Sequence, residues 1–261
     1  MRTKKTGRVG KSRFSEEWIY GLNPVLEAIK AGRKIRTVVI ASSRKEGYPE
    51  IEREILRYGI KLEKAAPFFF DSKFPKGHQG IAALAVPREC RTLEELLTIP
   101  SKNGEIPLFL VLDCLEDPRN FGAILRVADA GGVHGVVIQS HRSVTLSPEA
   151  LKASAGAAEY VPITVVPNIK YAIKVMKEMD VKVAGAEAGM GETMWDTDLT
   201  VPLALVIGSE GKGLRKTVRE DCDLLISLPM KGRVNSLNAS VATGALIFEI
   251  MRQRTSRLSI Q

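Results

Sequence analysis

The amino-acid sequence predicts an α/β protein: a mainly parallel β-sheet with helices on both faces, preceded by a small N-terminal α/β domain. From Pro107 onward, short β-rich apolar runs alternate with helical patterns, which is typical of buried parallel strands. The first part of the chain shows its own α/β pattern over about 70 residues. A Pro- and Gly-containing stretch at 100–104 separates the two parts. We therefore expect a domain at 16–87, a linker at 88–106 and a larger domain at 107–261.

The elements of the smaller domain follow from apolar periodicity and from the residues that end it. Ordered structure should begin at Trp18, and Asn23 suits the N-cap of a first helix because Pro24 follows it. Gly32 should end that helix. We further expect a strand at 35–41, a helix at 50–58 that Gly59 ends, and short strands at 60–64 and 81–86.

The larger domain repeats one pattern of strand followed by helix. Expected strands lie at 108–112, 135–138, 161–166, 181–186, 203–207 and 224–228. Expected helices lie at 121–130, 148–158, 169–179, 214–220 and 236–252. Ligands of such sheets bind beyond the carboxyl ends of the strands, so the loops that follow these strands are the places to look for chemistry.

The charge of the chain favours an anionic partner. Its 38 Lys and Arg against 30 Asp and Glu give a net charge of +8 and a pI of about 9.4, which is typical of nucleic-acid binding. Six positive charges precede the first acid, Glu16, so residues 1–15 read as a basic, disordered arm that suits phosphates. The alternative is a solvated tail. The six are Arg2, Lys4, Lys5, Arg8, Lys11 and Arg13.

Cysteine usage and hydropathy exclude several protein classes. The three cysteines are widely spaced and form no CxxC pair, which argues for a reducing cytoplasm and against a structural metal site. No apolar run approaches the roughly 18 residues that a bilayer-spanning helix needs, and no signal-peptide pattern opens the chain. We expect a cytoplasmic protein with no membrane contact and no metal.

A loop before the last strand of the smaller domain combines cations, amides and nearby aromatic rings. It includes Lys76, His78 and Gln79, and phenylalanines at 68–70 and 74 lie close in sequence. Cations next to aromatic faces suit an RNA loop with splayed bases. For the phenylalanines themselves we favour core packing over base stacking.

Three loops of the larger domain could carry chemistry, and the first follows the strand at 108–112. Asn120 is placed as the N-cap of the next helix. Arg126 lies almost two turns further on, among apolar neighbours. It is either an exposed surface residue or a guanidinium aimed at an anion.

The second loop is the glycine-rich stretch at 207–214. Only two residues separate Gly208 from Gly211, and Gly213 follows the lysine, so neither the P-loop spacing nor the GxGxxG dinucleotide pattern fits. Glu210 would also repel phosphates. A carboxylate among exposed backbone amides suits a ligand with a positive charge or with hydroxyl and amino donors.

The third loop, at 228–240, is the least like a plain connection. Asn235, Ser236, Asn238 and Ser240 offer hydrogen-bond donors and acceptors just before the last helix. For each residue alone, turn formation or capping is a sufficient explanation, and Ser236 suits an N-cap. All three loops follow an apolar strand and begin a helix, so they should gather at one edge of the sheet.

Taken together, the three loops resemble the sequence motifs of the SpoU (TrmH-like) RNA ribose 2′-O-methyltransferases, in that family's order. The matching stretches are NFGAILR at 120–126, IGSEGKGL at 207–214 and LPMKGRVNSLNAS at 228–240. Residues 20–25 and 78–81 are similar to the family's small, ribosomal-protein-like (L30e-like) substrate-binding domain. The resemblance covers about residues 16–255 and is strongest to members that methylate a guanosine ribose in 23S rRNA.

The resemblance implies a SPOUT fold, in which the C-terminal part of the sheet is threaded into a trefoil knot that binds S-adenosylmethionine. It also implies a homodimer formed through the larger domain. As catalytic residues it implies Asn120, Arg126, Glu210, Ser236 and Asn238. As cofactor-binding residues it implies Ile207, Gly208, Gly213, Leu228, Met230 and Leu237. We expect Lys76, His78, Gln79, Lys231 and Arg233 to contact RNA.

Arg126 corresponds to the family's catalytic arginine, often described as a base. A guanidinium hardly loses its proton in a protein, so stabilisation of a developing alkoxide is the better-supported role. Two alternatives stay open: ribose methylation of tRNA by the same chemistry, and a noncatalytic RNA-binding protein.

Overall fold

The structure, a computed structural model, describes residues 16–43, 47–233 and 236–258. Within these ranges the chain forms a four-stranded and a seven-stranded β-sheet. The basic arm predicted at residues 1–15 lies outside the described residues.

The smaller sheet is mixed. Its strand order is β1-β4-β2-β3, with β2 and β3 parallel and the other pairs antiparallel. The strand predicted at 35–41 is confirmed, as is the helix that Gly59 ends in a left-handed conformation. The elements are β1 (Glu17–Tyr20), α1 (Leu22–Lys30), β2 (Ile35–Ala41), α2 (Pro49–Tyr58), β3 (Lys61–Ala65), α3 (Pro67–Lys73) and β4 (Ile81–Ala85).

Aromatic residues of α3 cover one face of the smaller sheet. Phe70 and Phe74 are buried against Tyr20, so core packing is confirmed for these two rings. Phe68 is different, because 78% of it is exposed. The predicted N-cap at Asn23 is wrong: α1 starts at Leu22, after Gly21 turns the chain with φ 95°.

Two short helices, α4 (Leu93–Leu97) and α5 (Ile99–Asn103), follow β4. Thr92 and Glu95 cap α4 reciprocally: the Thr92 hydroxyl accepts from Glu95 N–H, and the Glu95 carboxylate accepts from Thr92 N–H. The leucines of α4 are buried in an apolar cluster of the larger sheet. The division into domains at 87/88 and 106/107 stays our proposal.

The larger sheet is parallel in every described pair, with the order β7-β6-β5-β10-β8-β11-β9. The predicted α/β class is therefore confirmed. The strands are β5 (Leu108–Leu112), β6 (Gly135–Gln139), β7 (Ile163–Val166), β8 (Lys182–Ala186), β9 (Glu192–Thr193), β10 (Leu203–Ile207) and β11 (Leu224–Ser227). The helices are α6 (Pro118–Ala130), α7 (Pro148–Ala153), α8 (Ile169–Glu178), α9 (Lys216–Asp221) and α10 (Ala239–Leu258).

Helices cover both faces of this sheet, as the alternation within β5 shows. Leu108, Leu110 and Leu112 belong to the apolar cluster that contains α6, α7 and α10. Phe109 and Val111 belong to the cluster that contains α4, α8 and α9. Side chains alternate across a strand, so a fully apolar strand must be covered on both faces.

Several elements differ from the prediction. The helix expected at 148–158 ends at Ala153, because Ala155 and Gly156 adopt positive φ values of 52° and 104°; a short 3-10 turn, Ala157–Glu159, follows. The two-residue strand β9 was not predicted. The trefoil knot stays a prediction from the resemblance.

The two sheets are joined by a partly buried polar contact and a shared core. Arg33, which follows α1, pairs with Glu17 of β1 and with Glu159 after α7, at 2.7 Å from Glu159. Tyr160 donates a 2.6 Å hydrogen bond to Glu27 of α1. One cluster of buried apolar residues also includes members from both sheets. The smaller sheet is therefore held in a defined position on the larger one.

None of the helices in the described part of the chain combines the length and the apolarity needed to cross a bilayer.

Candidate active site

The three motif loops meet at the carboxyl edge of the larger sheet. They follow β5, β10 and β11, and these strands lie in the contiguous order β5-β10-β8-β11. All four run parallel, so their carboxyl ends share one edge.

A hydrogen-bonded cluster links one residue from each loop. Asn120 and Asn238 both donate from their side-chain Nδ2 to Glu210 Oε1, Asn238 at 2.6 Å. Asn238 Nδ2 also lies 3.0 Å from Asn120 Oδ1, which accepts from it. We call these residues the Asn–Glu–Asn cluster. It fixes the position of one carboxylate between the three loops.

Asn120 is available for this cluster because another residue caps its helix. Asp117 is the N-cap of α6, and its side chain accepts from Arg119 N–H at 2.8 Å. The predicted capping role of Asn120 is therefore wrong. Pro118 takes the first helical position, and Asn120 is the third residue of the helix, where it is 7% exposed.

Asn238 has two roles. Its Oδ1 accepts from the backbone N–H of Ser240 at 2.9 Å and of Val241 at 3.4 Å, which caps the start of α10. The expectation that Ser236 caps this helix is wrong, since α10 begins at Ala239. Ser236 is exposed and lines the first pocket described below. Asn235 lies outside the described residues.

Glycines hold Glu210 at the tip of a tight loop. Ser209 and Gly213 exchange backbone hydrogen bonds of 3.1 and 3.0 Å across it. Gly211 and Gly213 have φ values of 76° and 62°, which favour glycine. A Cβ atom at Gly208 would overlap the Gly213 backbone. The turn is therefore built for close backbone approach and for presenting Glu210.

The first pocket, about 270 Å³ in volume, lies between this turn, the end of β8 and the start of α10. We call it the β11-side pocket. All six predicted cofactor-binding residues line it, together with Glu210 and Ser236. The six are Ile207, Gly208, Gly213, Leu228, Met230 and Leu237. Apolar walls with glycine backbone and a few polar groups are typical of a site for a small organic ligand.

Sequence reasoning missed the part of this pocket that β8 supplies. Ala186, Glu187 and Ala188 line it because β8 lies between β10 and β11. The chain order gives no hint of that neighbourhood. From α10, Ala242 and Leu246 complete the wall.

A second pocket of about 630 Å³ opens on the other side of Glu210. We call it the β5-side pocket. It is lined by the loop after β5, by Arg142 and by the start of α9, and it contains Asn120, Lys212 and Lys216. Ser209, Glu210, Lys212 and Gly213 line both pockets. The two cavities therefore share a wall at the glycine-rich turn, and the Asn–Glu–Asn cluster stands at their junction.

A buried carboxylate anchors the β5-side pocket. Asp113 is fully buried and accepts from Arg215, from its backbone N–H at 2.8 Å and from Nε at 2.6 Å. Arg215 also donates to Gln139 of β6 at 2.9 Å. Burial, and then the nearby Asp113, raise the pKa of the Cys114 thiol, so this lining cysteine stays protonated. Asp113 directly follows an apolar run, which was the available signal for its role.

Arg126 does not join the cluster within this chain. It is exposed on α6 and makes no hydrogen bond or ion pair with any residue of the described ranges. It lies six positions after Asn120, which places the two side chains about 120° apart around the helix. An exposed guanidinium fits both alternatives for Arg126, and its contact with an anion stays a prediction.

Some side chains of the loop predicted to contact RNA make contacts within the protein. His78 stacks on Phe70 with ring centroids 5.6 Å apart. Its Nδ1 accepts from Gly80 N–H at 3.0 Å, so Nε2 carries the proton that reaches Asp71 Oδ1 at 3.1 Å. These contacts help to shape the loop, Lys76 is exposed, and RNA contact by either residue stays a prediction.

Gln79 contacts the larger domain. Its Oε1 accepts from Leu22 N–H at 2.9 Å and from Lys152 Nζ of α7 at 3.1 Å. Burial lowers the pKa of Lys152. The side-chain oxygen of Gln79 therefore connects the two domains. Lys231 and Arg233 are exposed beside the third motif loop.

Within the described ranges, no group of three or more His, Cys, Asp or Glu side chains is arranged to hold a metal ion.

Comparison with protein families agrees with the geometry. Residues 107–248 match the profile of the SpoU rRNA Methylase family. Residues 18–90 match the profile of an RNA 2′-O ribose methyltransferase substrate-binding domain.

Individual relatives are similar over nearly the whole chain. YacO of Bacillus subtilis, described as a TrmH family tRNA/rRNA methyltransferase, is 41% identical over 239 residues, which cover 91% of this chain and 96% of the relative. The 23S rRNA (guanosine-2′-O-)-methyltransferase RlmB of Yersinia pestis is 39% identical over 242 residues, 91% of this chain and 98% of the relative. A similar solved structure is the crystal structure of the SpoU methyltransferase AviRb from Streptomyces viridochromogenes in complex with the cofactor AdoMet. The similarity has a TM-score of 0.79 and 28% sequence identity, and it covers 96% of this chain and 95% of that chain.

Proposed function

This chain belongs to the SpoU rRNA methylase family, and we propose that it transfers a methyl group from S-adenosylmethionine to a ribose 2′-hydroxyl of RNA. The observation that carries the proposal is the shared wall of the two pockets. A donor in the β11-side pocket and a nucleotide in the β5-side pocket would meet at the Asn–Glu–Asn cluster.

The residues of the β11-side pocket suit the methyl donor. Apolar side chains such as Ile207 and Leu228 can flank an adenine ring, and the glycines at 208 and 213 allow close backbone approach. Glu187 and Glu210 supply negative charge for a ligand that carries positive charge. S-adenosylmethionine supplies an electrophilic methyl group attached to a sulfonium.

The chain's own residues have to orient the acceptor and assist loss of its proton. Glu210 Oε1 is held by both asparagines, which leaves Oε2 to accept from a ribose hydroxyl. Asn120 and Asn238 thus position Glu210, and Ser236 completes the reacting side. A fixed orientation of hydroxyl and methyl group lowers the barrier of an in-line displacement.

Arg126 stays in the proposal as a cation that meets RNA. Its exposed guanidinium has no partner in the described part of the chain, which suits a contact with a phosphate next to the reacting ribose. We expect Arg126→Ala to keep donor binding and lose most methyl transfer. Arg57→Ala is the matched arginine control and should keep methyl transfer. Near-normal transfer by Arg126→Ala would contradict the assigned role.

For the RNA class we propose 23S rRNA, and a guanosine as the modified nucleotide. The support is the separate substrate-binding domain and the relative named for that activity. Methylation of tRNA is the alternative, because other relatives are described as tRNA/rRNA methyltransferases. Lys76, Lys231 and Arg233 are the exposed cations that we assign to RNA contact.

We also propose a homodimer through the larger domain. On α10, Val241 and Phe248 are 55% and 52% exposed, and they lie seven residues apart on one face. A Cβ atom added to Gly244 would lie 3.7 Å from Val127 Cγ2 of α6, so Gly244 faces the inside of this chain. We expect light scattering to give the mass of two chains for the wild-type protein and of one chain for Phe248→Glu. A mass of one chain for the wild-type protein would contradict the dimer.

The proposal is tested by methyl transfer to rRNA fragments with purified protein. Glu210→Gln keeps the shape of the side chain and removes its charge. We expect it to lose transfer by about tenfold or more and to keep binding of S-adenosylhomocysteine by calorimetry. Glu220→Gln on α9 is the matched control. Binding of RNA without any binding of S-adenosylmethionine would favour the noncatalytic alternative.

A further inference from the structure

Glu187 is a pocket residue that no motif of the sequence marks. It follows β8, and its backbone N–H donates to Ile226 O of β11 at 3.0 Å. Its Oε2 accepts from Leu214 N–H at 3.2 Å. A Cβ atom added to Gly213 would lie 2.6 Å from its Oε1. The carboxylate is therefore held against the glycine-rich turn, in the wall of the β11-side pocket.

The charge balance of that pocket depends on Glu187. Among the described residues, three ionisable side chains line it, namely Glu187, Glu210 and Lys212. Two carboxylates and one ammonium leave the lining with one net negative charge. The rest of the described lining is apolar, glycine or serine, so no further charged side chain there offsets this charge.

Glu187 differs from the other two charges in what it can act on. Glu210 and Lys212 line both pockets, so their charges also act on the acceptor nucleotide. Glu187 lines the β11-side pocket and is not part of the β5-side pocket. Of the three charges, that of Glu187 therefore belongs to the small-ligand pocket alone.

We propose that Glu187 is a specificity-determining residue that favours the methyl donor over the demethylated product. The inference rests on the proposed function. In the transfer the S–CH3 bond breaks, its electron pair stays on sulfur, the hydroxyl oxygen forms the new bond to carbon, and the hydroxyl proton passes to the Glu210 carboxylate. The ligand thereby loses one positive charge. A negative lining binds the product S-adenosylhomocysteine less strongly than the donor, which helps product release.

The experiment compares three ligands by calorimetry at low salt, using the full chain. They are S-adenosylmethionine, S-adenosylhomocysteine and the neutral nucleoside 5′-methylthioadenosine. Glu187→Gln should lower the preference for the donor over the product by about three- to tenfold, the size of one charge interaction at an intermediate dielectric. Its affinity for the neutral nucleoside should stay unchanged. Glu178→Gln, an exposed carboxylate on α8, is the matched control.

A structural role gives a different result. Gln keeps an oxygen that can accept from Leu214 N–H, whereas Glu187→Ala removes it. If Glu187 only held the turn, Glu187→Gln would keep the wild-type preference and Glu187→Ala would weaken all three ligands equally; that pattern overturns the inference. If the wild-type chain binds none of the three ligands, the proposed function itself is overturned, a result distinct from an unchanged preference.

Discussion

Removal of the Arg33 side chain should uncouple the smaller domain from the larger one. Arg33 is 6% exposed and pairs with Glu17, which is 23% exposed, and with Glu159, which is 5% exposed. Its Nε donates to Val86 O at 3.0 Å. Arg33→Met fills much of the same volume but removes the cation that hydrogen-bonds both carboxylates, so that Arg88 is left as the cation near Glu159.

The size of the effect follows from burial. Removing one partner of a buried ion pair typically costs about 3–5 kcal/mol, because the remaining charge stays desolvated. Glu159 is almost fully buried and Glu17 is partly solvated, so we expect Arg33→Met to lower the free energy of unfolding by about 3 kcal/mol, near the lower end of that range. A double variant, Arg33→Met with Glu159→Gln, should recover part of the loss.

Urea unfolding followed by circular dichroism measures the change. Arg36→Met is the matched control: Arg36 pairs with Glu16 at 2.8 Å, but its side chain is 70% exposed. An exposed pair contributes at most about 1 kcal/mol. Equal losses for Arg33→Met and Arg36→Met would refute the reasoning, because burial would then not decide the cost.

Three further predictions follow from local geometry. Gly122→Ala should destabilise the protein by about 1–3 kcal/mol in urea unfolding, because its Cβ would lie 2.6 Å from Ala150 O of α7; wild-type stability would contradict the packing. Burial, and then the hydrogen bond to Glu27, raise the pKa of Tyr160 from 10.0 to about 12. The protonated hydroxyl therefore stabilises the fold below pH 10, and this contribution is lost as the pH rises towards about 12. In Tyr160→Phe the free energy of unfolding should not show this loss at high pH. Deletion of residues 1–15 should weaken RNA binding and flatten its salt dependence; an unchanged slope would remove the arm from the binding account.

Most of the larger sheet could be predicted from sequence because each strand is buried on both faces. Apolar runs such as 108–112 and 203–207 have no other stable placement in an α/β protein. Sequence also predicts that the loops meet at one edge of the sheet, because parallel strands end at the same edge. Sequence does not predict the order of the strands, and for that reason Glu187 of the β8 end was missed.

Polar residues at helix starts were harder to assign, since capping and site roles use the same residue types. Asn120 was expected to cap α6, but Asp117 precedes it and takes that position. Asn238 caps α10 and also joins the cluster, so the two roles are not exclusive. Sequence could not show that His78 stacks on Phe70 or that Gln79 accepts from Lys152, and RNA contact by these two residues stays a prediction.

The central claim is that the two pockets bring a methyl donor and an RNA ribose together at Glu210. Mapping of 2′-O-methyl groups in RNA from cells with and without this gene tests it most directly. We predict that one ribose of 23S rRNA loses its methyl group without the gene, and regains it with the wild-type gene but not with Glu210→Gln. An identical map in both cells, for rRNA and tRNA alike, would contradict the claim.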